Sequence, residues 1–479
     1  MARPRKEPRG AEAPQGPVNE RAPYRSTELG LLLLVSIVIS GLYVLTSLGT
    51  HGHLPKSIWL FIACVLGLSL ALHVAISFLA PRSSQVLLPL ATLLNGLGYI
   101  EIARWNPPRA GYQTAWVLVS AVAVVLVLLT VRRVRDLDRY RYITLFIAIV
   151  LMLSPLIPHV GENINGARLW LKLGPFSFQP VEVAKIFLAI FFASYFAANK
   201  EMLSVGTSRL AGRRWVSLRT LIPVVAAWGF SILVLGAEND IGFAMLLFAL
   251  FVAMIWVSTG RLSYVAFGVG MFAVGGVIGA KLFHQVNQRI AIWLDPWNAY
   301  NYAHGGRQLA YGWFGIAAGG MTGTGVGLGQ SGATPALTTD MIFSALGEEL
   351  GFAGVTIIIS CFILFVGEGF RIAQRAHSDF ARLTATALSL IIGFQAFFIM
   401  AGVLRVLPFT GITLPFMAFG GSSLVANYVI VALLLRISDE NQRDLGGGEV
   451  RAISFDRSGT KESPRRTGRV LARAGEERE

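Results

Sequence analysis

Long apolar runs alternate with short polar breaks along nearly the whole chain. A helix of about twenty apolar residues crosses ~30 Å of hydrocarbon. The pattern places such spans near 29–48, 57–80, 86–103, 114–132, 142–158, 180–198, 219–237, 240–258, 262–283, 341–367, 383–406 and 418–437. Within lipid the backbone must satisfy its own hydrogen bonds, so runs of this kind fold as helices. The expected fold is an all-α polytopic membrane protein of about twelve transmembrane helices. Its polar tails, 1–26 and 438–479, carry the Pro, Gly, Arg and Glu content of disordered segments. The longest interruption, 283–340, reads as a large loop on one side of the bundle.

Composition agrees with that pattern. The 479 residues are 54% hydrophobic and 14% charged, against about 25% charged in soluble domains. A net charge of +14 could point to nucleic acid, but its distribution argues against it. The basic residues gather in alternate loops: the N-terminal "RPRKEPRG", residues 132–141, residues 207–219 and the C-terminal "RRTGRVLARAGEERE". Positive-inside asymmetry then puts both termini in the cytoplasm and the 283–340 loop outside. Anionic lipid headgroups are the expected partners of these loops, and no nucleic acid is expected.

Polar residues inside or beside apolar runs carry the candidate chemistry, because an Asp at mid-membrane costs about 2.5–3.5 kcal/mol. In "FQPVEVAK", Pro180 suits a first helical turn, and Glu182 and Lys185 stand three apart on one face. They read either as a dipole-complementing Glu with a snorkelling Lys or as a buried ion pair beside a polar cavity. In "AENDIGF", Glu238 and Asp240 read as a water-exposed turn or as part of a site. The glycine run "GGMTGTGVGLG" lacks the spacing of a phosphate loop and has no Gly-Lys-Ser/Thr after it, so no nucleotide is expected. It reads as a mobile or tightly packed re-entrant segment. No Cys/His spacing suggests zinc and no G-x-S-x-G marks a hydrolase.

"TTDMIFSALGEELGFAG" (338–354) places three carboxylates where a helix enters the membrane. At 100° per residue, Asp340, Ser344, Gly347, Gly351 and Gly354 share one stripe. Glu348 flanks it by about 80° and Glu349 points away. Asp340 therefore stands alone at the mouth, as an N-cap or as a reactive group, and the glutamates face other neighbours.

These segments together resemble the SEDS family (shape, elongation, division and sporulation), whose members include RodA and FtsW. "FQPVEVAK" is similar to the family's F-Q-P-S-E-L-x-K, "ENDIG" to Q-P-D-L-G, and "TTDMIFSALGEELGFAG" to H-T-D-F-I-F-A-x-x-G-E-E-L-G-F-x-G. "LPFTGITLPFMAFGGSSLVANY" (407–428) is similar to L-P-x-T-G-x-x-L-P-F-x-S-Y-G-G-S-S. Departures exist: "GARLW" moves the expected arginine to Arg168, Val181 replaces a serine, and "GGRQLAYG" retains only Gln308 of its motif. The resemblance covers about residues 140–437. It implies a ten-helix core with two additional N-terminal helices, within an N-terminal region of 27–139, a form frequent in the actinobacterial RodA-like branch.

The resemblance implies a peptidoglycan glycosyltransferase that polymerises lipid II on the outer face, in cell elongation or division, with a class B penicillin-binding protein as partner. It places the essential aspartate at Asp340. The candidate groove residues are Arg168, Glu182, Lys185, Asp240, Arg289, Gln308, Arg405, Gly420, Gly421, Ser422 and Ser423, and Glu348 and Glu349 either brace other helices or line the groove. Transfer from a lipid pyrophosphate needs a base for the acceptor hydroxyl and positive charge for the departing pyrophosphate. Arg168, Lys185, Arg289 and Arg405 are each candidates for that charge, as is a divalent cation (Mg2+ or Mn2+) held by Asp340 or Asp240. Two other readings are a flippase for the same lipid-linked precursor, which needs access to both faces, and a structural scaffold indifferent to loss of Asp340.

Overall fold

The computed structural model describes residues 25–54, 58–158, 161–164, 167–173, 176–201, 208–210, 213–215 and 240–458, with scattered positions between 222 and 236. Residues 1–24 and 459–479, Glu238 and most of the span near 219–237 lie outside the described residues. Residues 438–458, expected as the start of a disordered tail, instead continue the last helix, where Asn441 is held by the Ile372 carbonyl at 3.0 Å. Short turns aside, thirteen helices are described. They are α1 (Ser26–His51), α2 (Ile58–Leu79), α3 (Leu87–Trp105), α4 (Pro107–Thr130), α5 (Arg141–Leu153), α6 (Pro180–Ala198) and α7 (Ile241–Thr259). There follow α8 (Leu262–Leu282), α9 (His284–Leu294), α10 (Arg307–Gly319), α11 (Ile342–Gln374), α12 (Asp379–Val403) and α13 (Gly421–Ser458).

Nine of the described helices are long and apolar enough to cross a membrane. Two further expected spans are helical but fall short, α3 being too polar and the helix at 141–156 too brief. The protein is thus a polytopic helical membrane protein. Its only described strands are small: an antiparallel sheet β1 (Gly161–Ile164), β2 (Ala167–Leu173), β3 (Phe176–Phe178), and the pair β4 (Ser208–Leu210) and β5 (Arg213–Trp215).

Local chemistry sets the helix ends. Asn106 accepts the Arg109 N–H at 3.2 Å and Pro107 occupies the first turn of α4. Asp240 accepts the Phe243 N–H at 3.0 Å to cap α7, which ends in the left-handed Gly260. The bundle packs around α6, α12 and α13, and α4 and α11 lie against α13 and α12. Helix α8 is peripheral, with only 6% of its apolar window buried.

The 283–340 stretch is largely ordered structure. Helices α9 and α10 lead into a glycine loop that crosses α11 at a break. Gly351 has φ +66° and ψ −168°, so α11 is two helices end to end. The loop repairs the lost ladder. The Thr324 and Gly325 N–H groups donate to the Glu348 and Glu349 carbonyls at 2.9 and 3.2 Å, and the Phe352 and Ala353 N–H groups donate to Gly320 and Met321 at 2.9 and 3.1 Å. The glycine run is therefore the tightly packed alternative. The continuous stripe expected from Asp340 to Gly354 does not exist, because α11 begins at Ile342 and turns at Gly351.

Candidate active site

A cavity of about 790 Å³ opens where the N-terminal ends of α4, α6, α7 and α13 meet α9, α10 and the turn before α11. Arg109 comes from the first turn of α4, Gln179 from the entry to α6, Asp240 and Ile241 from the start of α7, and Gly420 and Gly421 from the start of α13. Helix N-termini carry partial positive charge and free N–H groups. Four of them around one space make it receptive to an anion.

Asp340 lines this cavity together with Asp240, Arg289 and Gln308. Burial pushes the Asp340 carboxyl up to about 7, against the opposing pull of Arg289, Thr339 and Arg109. Burial likewise lifts Asp240 to about 6, although the Phe243 N–H and Arg289 oppose it. One Asp240 oxygen caps α7, and the other is buried without a hydrogen-bond partner. Arg289 is lowered by burial and held up by Asp240 and then Asp340, so it serves both acids. Its Nη1 donates to the Phe409 carbonyl at 2.6 Å, fixing α9 to the 409–413 segment.

The Asp340 turn is anchored on both sides. Arg109 donates to Thr338 Oγ1 at 2.8 Å and stacks over Phe419, and the Phe419 N–H donates to the Thr338 carbonyl at 2.8 Å. A Cβ on Gly421 would come 2.0 Å from Trp116, so only glycine lets α13 start against that ring.

Beneath the cavity runs a buried polar chain. Lys185 bonds Glu182 and donates to Gln395 Oε1 at 2.7 Å. Gln395 donates to the Thr413 carbonyl at 3.0 Å, and Thr413 bonds Ser423 at 2.9 Å. Ser422 Oγ accepts the Gln179 N–H at 2.8 Å. Glu182, Lys185, Ser422 and Ser423 thus support the cavity wall without lining it, and the buried-pair reading of Glu182 and Lys185 describes the structure.

The remaining candidates stand elsewhere. Glu348 accepts the Gln330 N–H at 2.7 Å and the Ser331 hydroxyl. Glu349 pairs with Arg104 and accepts the Gly327 N–H at 2.8 Å. Both are committed to the glycine loop and neither lines the cavity, so of the two readings, bracing and groove-lining, the bracing one describes the structure. Arg405, with φ +60°, spends its guanidinium on the Trp293 and Leu294 carbonyls at 2.8 and 2.6 Å and leaves the cavity. The Arg168 side chain lies outside the described residues, although its neighbours Leu169 and Trp170 line the cavity. Arg109 is the cavity cation that the sequence reading missed. Its signal was an arginine in an expected outer loop, against the positive-inside pattern.

Comparison with known proteins fits this arrangement. The FtsW/RodA/SpoVE profile, described as cell cycle protein, matches residues 108–443. The chain is 35% identical over 432 residues to the peptidoglycan glycosyltransferase RodA of Mycobacterium bovis, covering 88% of this chain and 92% of that one. It is 37% identical over 383 residues to the RodA of Mycobacterium leprae, covering 78% and 81%. A probable peptidoglycan glycosyltransferase FtsW of a Geobacter strain is 33% identical over 293 residues, covering 60% and 76%. Among solved structures, a chain of a peptidoglycan synthase complex that coordinates polymerisation and crosslinking shares the fold at TM-score 0.60 and 24% identity, covering 75% of this chain and 98% of that one. The rod shape determining protein RodA of Thermus thermophilus shares it at 0.53 and 22%, covering 74% and 96%.

Proposed function

The chain belongs to the FtsW/RodA/SpoVE family of cell cycle proteins, and from that premise we propose that the Asp340 cavity is the polymerising site of a peptidoglycan glycosyltransferase. The protein is an enzyme of that class, as its relatives are named. The donor and acceptor are both lipid II, and the cavity faces the outer side with the two termini in the cytoplasm. A class B penicillin-binding protein that cross-links the strands is the partner. A carrier for the same precursor is not favoured, because the named relatives are glycosyltransferases.

One observation carries the reading: a carboxylate and two arginines, Asp340 with Arg289 and Arg109, face one cavity ringed by helix N-termini. In the reaction the Asp340 carboxylate takes the proton of the acceptor's 4-hydroxyl as that oxygen attacks the donor's anomeric carbon. A base that titrates near 7 is matched to this task at neutral pH. Arg289, Arg109 and the helix N-termini hold the pyrophosphate as it leaves with the bonding pair. Gln308 and the Gly420–Gly421 peptides border the space left for the sugars.

A divalent cation fits beside these groups. Asp240 lines the same cavity as Asp340 and has one buried oxygen without a hydrogen-bond partner, and Mg2+ typically binds one or two carboxylates together with substrate phosphate. Among the described residues no group of three or more His, Cys, Asp or Glu forms a complete cage. When bound, the ion would add positive charge at the pyrophosphate. Chelation is expected to lower polymerisation, and Mg2+ or Mn2+ to restore it. Full rate in chelator would remove the ion from the scheme.

The test reconstitutes the full-length protein with its partner in vesicles and supplies labelled lipid II. Glycan strands on a gel are expected. Transfer of label between leaflets without strand formation would overturn the assignment.

A further inference from the structure

The segment carrying Asp340 is tied down at Thr338, as described, and again upstream, where the tie reaches outside the family match. At the end of α1, Gly49 lies so close to the glycine loop that a Cβ there would come 2.6 Å from the Val326 carbonyl oxygen. A Cβ on Gly327, whose φ is +81°, would come 2.4 Å from the Thr46 carbonyl oxygen. Thr50 Oγ1 donates to the Gly327 carbonyl at 3.2 Å, and the Gly327 N–H donates to Glu349. Gly327 is therefore bonded on one side to α1 and on the other to the broken helix. Two residues on, the Gly329 carbonyl accepts Arg104 from α3 at 2.6 Å, and Gly332 packs against Trp105.

No α1 residue lines the cavity. We propose that α1, through Gly49 and Thr50, is a positioning element for the reaction: it seats the glycine loop in the break of α11 and so fixes where Asp340 stands. The contact is backbone on backbone. No rotamer can absorb a displacement there, so a shift of α1 passes into the loop. The inference rests on the assignment of polymerisation to the cavity.

Gly49→Ala separates positioning from structure, because alanine improves an α-helix locally. Positioning predicts a kcat lowered by about 10- to 100-fold, since misplacing a reacting group by 1 Å costs roughly 100-fold. KM should stay near wild type, and the kcat loss should persist well below the melting temperature, which the added Cβ lowers. Gly41→Ala, on the same helix with nothing within 4 Å of its Cβ, should keep wild-type kcat. Thr50→Val, nearly isosteric, should lower kcat several-fold with Thr50→Ser restoring it, and it decides the matter if Gly49→Ala does not accumulate. Wild-type kcat in both Gly49→Ala and Thr50→Val, or an equal loss in Gly41→Ala, overturns the proposal. Wild-type protein that forms no strands fails the functional assignment itself and takes this inference with it.

Discussion

Two groups of acids lie within a dozen residues of one another and do opposite work. Glu348 and Glu349 have their carboxylates occupied by Gln330, Ser331, Gly327 and Arg104 at the break in α11. Asp340 faces an open cavity in which Arg289 is shared with a second acid. The glutamates act as surrogate helix: they satisfy a loop that has entered the bundle. Asp340 is left with room for a reacting group. Partnership, more than the presence of charge, distinguishes a bracing carboxylate from a chemical one.

The comparison can be broken most forcefully at the bracing end. Glu349→Ala removes the carboxylate paired with the buried Arg104, which keeps the Gly329 carbonyl, and losing one partner of a buried pair costs about 3–5 kcal/mol. The melting temperature should fall steeply, and kcat of the folded protein should fall too, because the same carboxylate accepts the Gly327 N–H that seats the loop. A clean loss of kcat at unchanged stability would move Glu349 into the chemistry. At the cavity end, Arg109→Ala should raise KM about tenfold, near 1.4 kcal/mol, as expected for a lost charge-assisted contact to an anion. Unchanged KM would remove Arg109 from substrate binding. A graded effect follows in pH, small near neutrality. With Asp340 titrating near 7 and the carboxylate as the active form, kcat/KM should be flat above that value and fall tenfold per unit below it. A profile flat from pH 5 to 8 would show that another group is the base.

Much of this was legible in the sequence, for physical reasons. Apolar runs of membrane length can only be helices in lipid, and eleven of the twelve expected spans coincide with described helices. The first-turn place of Pro180 was readable because first-turn chemistry is local, whereas the Asp240 cap was hidden in what read as a polar turn. The break at Gly351 was not. Projecting residues at 100° each assumes an unbroken helix, and the backbone that fills the gap comes from the preceding loop. The same long-range character hid the Glu349–Arg104 pair and the departure of Arg405 toward α9. The orphaned oxygen of Asp240 also required coordinates, since an acid in a turn looks satisfied by water from sequence alone.

The central claim is that Asp340 is the base, and the direct measurement is strand formation by Asp340→Asn beside its melting temperature. Asparagine keeps the shape and removes a carboxylate whose charge burial disfavours, so the fold should be as stable as wild type or slightly more stable. Polymerisation should fall by about 100- to 10,000-fold, the usual contribution of a general base. Strands formed at the wild-type rate by a well-folded Asp340→Asn protein would contradict the account.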